Sequence, residues 1–122
     1  MKIGVLEWIC GGGLQETDPQ QIAESLLNEG QAMLNAVAQD LFNCGHEVIT
    51  CIDAGLTERL QLFGTDSRVR VTHRAGFLND LPASWWNLAN EADAVVVIAP
   101  EFSSILQNAI SKLMPVCKLL LN

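Results

Sequence analysis

The chain reads as an α/β protein, a three-layer αβα sandwich around a mainly parallel five-stranded sheet in the order 3-2-1-4-5. Three observations predict this. Short apolar runs near 2–9, 46–53, 94–99 and 118–122 alternate with segments of helical spacing. Runs without polar alternation suit parallel strands covered on both faces. Right-handed crossovers then set the first and fourth strands side by side at the sheet centre, with ligands expected beyond their carboxyl ends.

Each element has its own signal. Lys2 to Ile9 carries Ile3, Val5, Leu6, Trp8 and Ile9 and reads as the first strand, ended by Cys10-Gly11-Gly12-Gly13. Asp18-Pro19 is a helix-start pair, with the acid as cap and proline at the first helical position. Ile22, Leu26, Leu27, Met33, Leu34, Val37, Leu41 and Phe42 recur at helical spacing. Gly30 interrupts them, so the reading is one long helix, or a short one followed by a longer helix from Asn28. Cys44-Gly45 stops it.

His46 to Asp53 is the second strand, Leu56 to Phe63 a poor helical turn, and Arg68 to Thr72 an edge strand. Leu81-Pro82 opens a helix bearing Trp85, Trp86 and Leu88. Two consecutive tryptophans on a helix point about 100° apart, so one of them faces an interface rather than the core. Ala94 to Ala99 is the most apolar strand and therefore central. Glu101 to Met114 is a helix closed by Pro115, and Lys118 to Asn122 is the fifth strand.

The totals exclude several classes. At 122 residues the chain suits one domain, with about two thirds of its unfolded surface buried. Fourteen acidic against seven basic residues leave a net charge of −7, which disfavours nucleic acid and anionic membranes because phosphate contacts need clustered Lys and Arg. Cys10, Cys44, Cys51 and Cys117 form no Cys-x-x-Cys pair, and His46 and His73 stand at no metal-ligand spacing. No metal site is expected. Free thiols, no signal peptide and no apolar run long enough for a membrane span point to the cytoplasm.

The candidate sites cluster where the two central strands end. Gly11-Gly12-Gly13 could bring backbone amides to a ligand, although it lacks the spacing of a dinucleotide loop. Pro100-Glu101 opens a helix, where a carboxylate gains from the helix dipole or holds an amine. Glu29-Gly30 sits where the glycine loop could fold back over the sheet edge, and the plain reading of Glu29 is an exposed helix acid. Glu7 sits within a strand, where an unpaired charge is costly, so it should face an edge or a cleft. Asp53 ends the second strand at the position of a ribose-binding acid, but about 40 residues past the glycines rather than the roughly 20 of that fingerprint, which favours a cap or turn. Gly11, Gly12, Gly13, Glu29, Pro100 and Glu101 are taken as substrate-binding. No catalytic residue is assigned, since no Ser-His-Asp, Cys-His or phosphate-loop pattern is present.

Three segments carry a family resemblance: Glu7-Trp8-Ile9-Cys10-Gly11-Gly12-Gly13, Ser25 to Leu34, and Ala92 to Glu101. Together they resemble the Rossmann-like N-terminal (pre-ATP-grasp) domain of ATP-grasp ligases, a group similar to the tyramine–glutamate ligases and their bacterial relatives. Family members commonly show Leu-Leu-Pro-Glu-Gly, whereas this chain has Asn28 at the proline position. The resemblance implies that residues 1–122 are one such domain and that the ATP-grasp domains would come after Asn122. It implies ATP and Mg²⁺ for the whole protein, with none in this fragment. The reaction implied is activation of a carboxylate as an acyl phosphate, then attack of an amine to form an amide.

The leading reading is thus the substrate-side lobe of an ATP-dependent carboxylate–amine ligase, inactive alone. Its partners would be the missing ATP-grasp domains and a small carboxylate or amine substrate. A stand-alone nucleotide- or cofactor-binding module is the first alternative, suggested by the glycines and Asp53. A non-catalytic interaction domain, with a homodimer left open, is the second, suggested by Trp85-Trp86 and the terminal apolar run.

Overall fold

Five parallel strands build the central sheet of the computed structural model, which describes residues 1–61, 68–72, 74, 76–100 and 104–121. They are β1 (Lys2–Glu7), β2 (Glu47–Asp53), β3 (Arg68–Thr72), β6 (Ala94–Ile98) and β7 (Leu120–Leu121), in the order β3-β2-β1-β6-β7. This is the expected doubly wound, Rossmann-like order. β1 and β6 run side by side from Ile3 opposite Ala94 to Glu7 opposite Ile98, so their carboxyl ends finish together.

The helices divide between the two faces. α1 (Glu24–Asn43) is a single helix that runs through Gly30, which settles the two readings of that segment. Leu34 and Ala38 of α1 pack with Val5, Val48 and Ile52 of the sheet. α2 (Ala83–Glu91) and α3 (Ile105–Leu113) lie on the opposite face, where Trp85, Leu88, Ala109 and Leu113 meet Leu6, Ile49, Val95 and Val97. Alternation along β1, β2 and β6 supplies one set of side chains to each face. Gly4 of β1 leaves room for Leu88, whose side chain fills the space a Cβ would need.

Several boundaries move from their expected places. β1 stops at Glu7 rather than Ile9, because the backbone turns there, with Gly11 N–H donating to the Glu7 carbonyl at 2.8 Å. Asp18-Pro19 starts a 3-10 turn over Pro19–Gln21, capped by Asp18, and not the long helix. Where a helical turn was expected over Leu56 to Phe63, a 3-10 segment covers Ala54–Leu56, residues 57–59 form a plain turn, and residues 62–63 lie outside the described set. The described part of α3 begins at Ile105, while residues 101–103 of the expected helix lie outside the described set.

A small hairpin was not anticipated. β4 (Phe77–Leu78) and β5 (Leu81–Pro82) are joined by Asn79 and Asp80, both left-handed with φ of 53° and 66°. Two such residues in succession match the twist of a tight hairpin, and Asn and Asp tolerate that conformation better than most side chains. Lys112 of α3 donates to Asn79 Oδ1 at 2.8 Å and Asp80 Oδ2 at 3.1 Å, tying the hairpin to the helix layer.

The tryptophans separate as their 100° offset requires. Trp85 is fully buried, while Trp86 is half-buried and donates its Nε1–H to the Leu78 carbonyl at 2.8 Å. Trp8 meets Trp85 edge to face at 5.7 Å between ring centroids, an arrangement the ring quadrupoles favour. Trp85 Nε1 donates to the Gly11 carbonyl at 2.9 Å, so the glycine loop is fastened to α2. Replacing Trp85 with Phe removes that donor from a buried carbonyl and should lower stability by about 1–3 kcal/mol in urea denaturation. A change below about 0.5 kcal/mol would show that this hydrogen bond does not hold the loop.

Candidate functional site

A cavity of about 500 Å³ opens where β1 and β6 end beside α1. Glu7 and Ile9 come from the end of β1, and Ile98, Ala99 and Pro100 from the end of β6. Leu26, Glu29, Gly30 and Met33 come from α1. Their three- and four-residue spacing sets the helical residues on one side of α1, turned toward β6. Leu26 and Met33 remain 36% and 45% exposed although they are apolar, as expected for the wall of an open cleft.

Glu7 is the chemically unusual member. It is 3% exposed, and its carboxylate accepts the backbone N–H of Ile9 at 3.0 Å and of Cys10 at 2.8 Å. Burial is the main cause raising its pKa above the ordinary carboxylate range; those hydrogen bonds oppose the rise, and the negative charge of Glu29 adds to it. The same burial, with the Glu7 carboxylate beside it, keeps the Cys10 thiol protonated and unreactive. Gly30 leaves the space that this carboxylate occupies. A Cβ at that position would stand 2.6 Å from Glu7 Oε1 and 3.1 Å from the Ile9 Cβ.

The structure brings together only part of the expected set. Glu29 and Pro100 line the cavity. Glu101 lies outside the described residues. The glycine triplet is not among the cavity's lining residues and packs elsewhere: Gly11 against the Trp85 Nε1 and Cys51 carbonyl, Gly12 against Pro82, and Gly13 against the Trp8 indole. Gly12 has φ of 106°, so the triplet serves a turn that few side chains would permit. Glu7 does border a cleft, as the cost of burying its charge suggested.

Asp53 acts as a cap and an ion-pair partner. Its Oδ1 accepts from Gly55 N–H and from Arg74 Nε, both at 2.9 Å. Arg74 also donates to the carbonyls of Gln15 and Thr17, joining the end of β2 to the segment after the glycines. Sequence reasoning did not single out Leu26 and Met33 as site residues. The available signal was apolar residues on the same helix side as an acid.

Three comparisons bear on this arrangement. A family model described as the pre ATP-grasp 3 domain matches residues 46–122. No match is found among the curated proteins. Among solved structures, that of an ATP-grasp superfamily protein from Archaeoglobus fulgidus is similar, with a TM-score of 0.64 at 19% identity. The likeness covers 98% of this chain but 32% of that one, so this chain spans about a third of its length. At such identity the likeness speaks to the fold alone. Among the described residues no helix is long and apolar enough to cross a membrane.

The Glu7–Gly30 contact yields two predictions. In an open helix Gly→Ala stabilises by about 1 kcal/mol, but Gly30→Ala should destabilise by about 1–3 kcal/mol because the new methyl strikes the carboxylate. Equilibrium unfolding that showed a gain would mean the contact is not tight. The second concerns pH. Folded Glu7 holds its proton to higher pH than the unfolded chain, where it titrates near about 4.3. Its contribution to stability is therefore fully present below that value and is lost as pH rises through its raised folded pKa. Glu7→Gln should remove this downward slope in urea titrations carried upward from the ordinary carboxylate range, while lowering stability overall, since its amide cannot accept both backbone donors. Parallel slopes for the two proteins would refute the assignment.

Proposed function

Because the chain belongs to the pre ATP-grasp 3 domain family, we propose that residues 1–122 form the N-terminal, substrate-side lobe of an ATP-dependent carboxylate–amine ligase and are not catalytic alone. The observation that carries this reading is the cavity at the paired carboxyl ends of β1 and β6, the place where doubly wound sheets bind ligands. Glu29 and Pro100 contribute to substrate binding, joined by Glu7, and Glu101 is assigned there by its place next to Pro100. The role of Gly11, Gly12 and Gly13 is to hold the turn that releases β1 toward α2.

ATP and Mg²⁺ belong to the reaction as proposed, but the cavity residues do not fit them. Among the described residues its lining holds two carboxylates and no Lys or Arg to neutralise a triphosphate. Among the described residues no group of three or more His, Cys, Asp or Glu is placed to hold a metal ion. Both cofactors are therefore assigned to ATP-grasp domains joined to this lobe. The lobe would meet them along its incompletely covered α1 face. There Val96 is half-buried, and Met33 and Leu121 are 45% and 39% exposed.

The test is ADP formation by the whole reading frame that carries this chain, supplied with mixtures of amines and carboxylates. ADP should form only when both substrates are present. Met33→Lys, which puts a cation into the cavity wall, should raise KM for one substrate at least about tenfold with a smaller change in kcat. Kinetics indifferent to that substitution would overturn the assignment of the cavity. Micromolar nucleotide binding by residues 1–122 alone, measured by calorimetry, would favour a stand-alone nucleotide module instead.

A further inference from the structure

The buried acid of the cavity is held by the residues that follow it in the chain. We propose that Cys10 is a positioning residue for Glu7: its thiol, together with its own backbone N–H, fixes the carboxylate in one orientation at the cavity. Cys10 is not among the lining residues, so it acts through Glu7. The proposal rests on the reading of this cavity as the lobe's substrate site and adds the residue that sets its buried acid.

The turn after β1 supplies three donors to one carboxylate. Ile9 N–H donates to Oε2 at 3.0 Å and Cys10 N–H to Oε1 at 2.8 Å. Both come from the main chain and would survive any residue that keeps the turn. The third is the Cys10 S–H, which also donates to Glu7 and which the identity of residue 10 alone decides. A carboxylate has about four lone-pair sites, so a third donor is accommodated. Cys10 is fully buried and packs with Val5, Leu34 and Ile52. Alanine or valine would fill such a place without a polar atom, and a serine hydroxyl would be costlier to bury. A thiol packs as a small apolar group yet still offers a donor. From the other side α1 blocks any swing of the carboxylate, because Oε1 lies only 2.6 Å from where a Cβ of Gly30 would stand. Side chains locked in this way by packing and by a second layer of hydrogen bonds hold a site in its working geometry.

The electrostatics give the thiol a fixed role. Burial first, then the charge of Glu7 and the hydrogen bond to it, push the Cys10 thiol far above its ordinary range. It therefore remains S–H at every working pH, and the bond always runs from sulfur to carboxylate. Only Glu7 titrates. Burial raises its pKa, the two backbone donors and then the thiol oppose the rise, and Glu29 on α1 adds to it. On β6, apolar Ile98 stands opposite Glu7. A hydrogen bond to the ionised form favours that form, so loss of the thiol leaves burial and Glu29 less opposed. Glu7 would then hold its proton to still higher pH, and the charge presented to the cavity would change although no lining residue had.

The test follows the Glu7 carboxyl carbon by ¹³C NMR as the 122-residue chain is titrated with acid and base. Cys10→Ala should move the Glu7 midpoint upward, and Cys10→Ser, which restores a donor, should bring it back to the original value or below. In the unaltered chain the Cys10 thiol proton should exchange slowly, and its resonance should follow the Glu7 midpoint. That measurement reads the hydrogen bond without any substitution. Cys51, whose thiol donates to the Ser84 carbonyl at 3.9 Å, is the control and should not follow. A role in packing alone would let both variants lower stability and leave the midpoint where it was. A midpoint unmoved by Cys10→Ala, a shift shared equally by Cys10→Ser, or a Cys10 thiol proton indifferent to Glu7 would each overturn the proposal. ADP formation by the whole protein reports separately on the ligase reading. A shifted midpoint in a protein without turnover would sink the ligase and leave Cys10 in place, and turnover with an unmoved midpoint would do the reverse.

Discussion

A carboxylate buried in an apolar sheet must find hydrogen-bond donors, and Glu7 finds two in the backbone just beyond it. Much of the local structure depends on that requirement. The chain leaves the sheet at Glu7 because Ile9 and Cys10 must turn their N–H groups back onto the side chain. The turn carries Gly11 to the indole of Trp85, and Gly13 to the face of Trp8. On the other side of the sheet, α1 can pack as closely as it does because Gly30 presents no Cβ to the carboxylate. A glycine inside a 20-residue helix is a local loss of helix propensity that the tertiary contact makes worthwhile.

The two faces of the sheet end in different conditions. The face under α2 and α3 is filled by large buried side chains and further closed by the tryptophan pair. The face under α1 is filled over β1 and β2 but opens toward β6, where half-exposed apolar residues and two acids share a cleft. The cleft therefore sits at the boundary of what one helix can cover. Strand ends and helix each supply one acid, Glu7 and Glu29, and each supplies part of the apolar wall. Neither element alone would make a site.

The order of strands and helices was legible in the sequence because each depends on a pattern contained within one segment. Val95 to Ile98 could be little other than a central strand, and the spacing from Leu26 to Phe42 implied a helix. Features that depend on contacts between distant segments were harder to read. The glycine triplet suggested a ligand loop, yet its partners are Trp8, Pro82 and Trp85, two of them about 70 residues away in a segment whose position no local signal reveals. The hairpin at residues 77–82 escaped notice because its strands are two residues long, too short for any alternation to show. The Asp18-Pro19 pair was a true start signal attached to the wrong element, since a cap governs a single turn and does not set how long the helical segment runs.

Sequence alone determined the α/β class, the parallel sheet and the region where the central strands end, since hydrophobic periodicity and crossover handedness leave few other arrangements. It also marked Glu7 as a residue that burial would force into some special environment. Only the tertiary structure decided what that environment is. The distance between a strand acid and a helix glycine depends on how closely two layers pack, and that closeness is a property of the assembled core rather than of either segment.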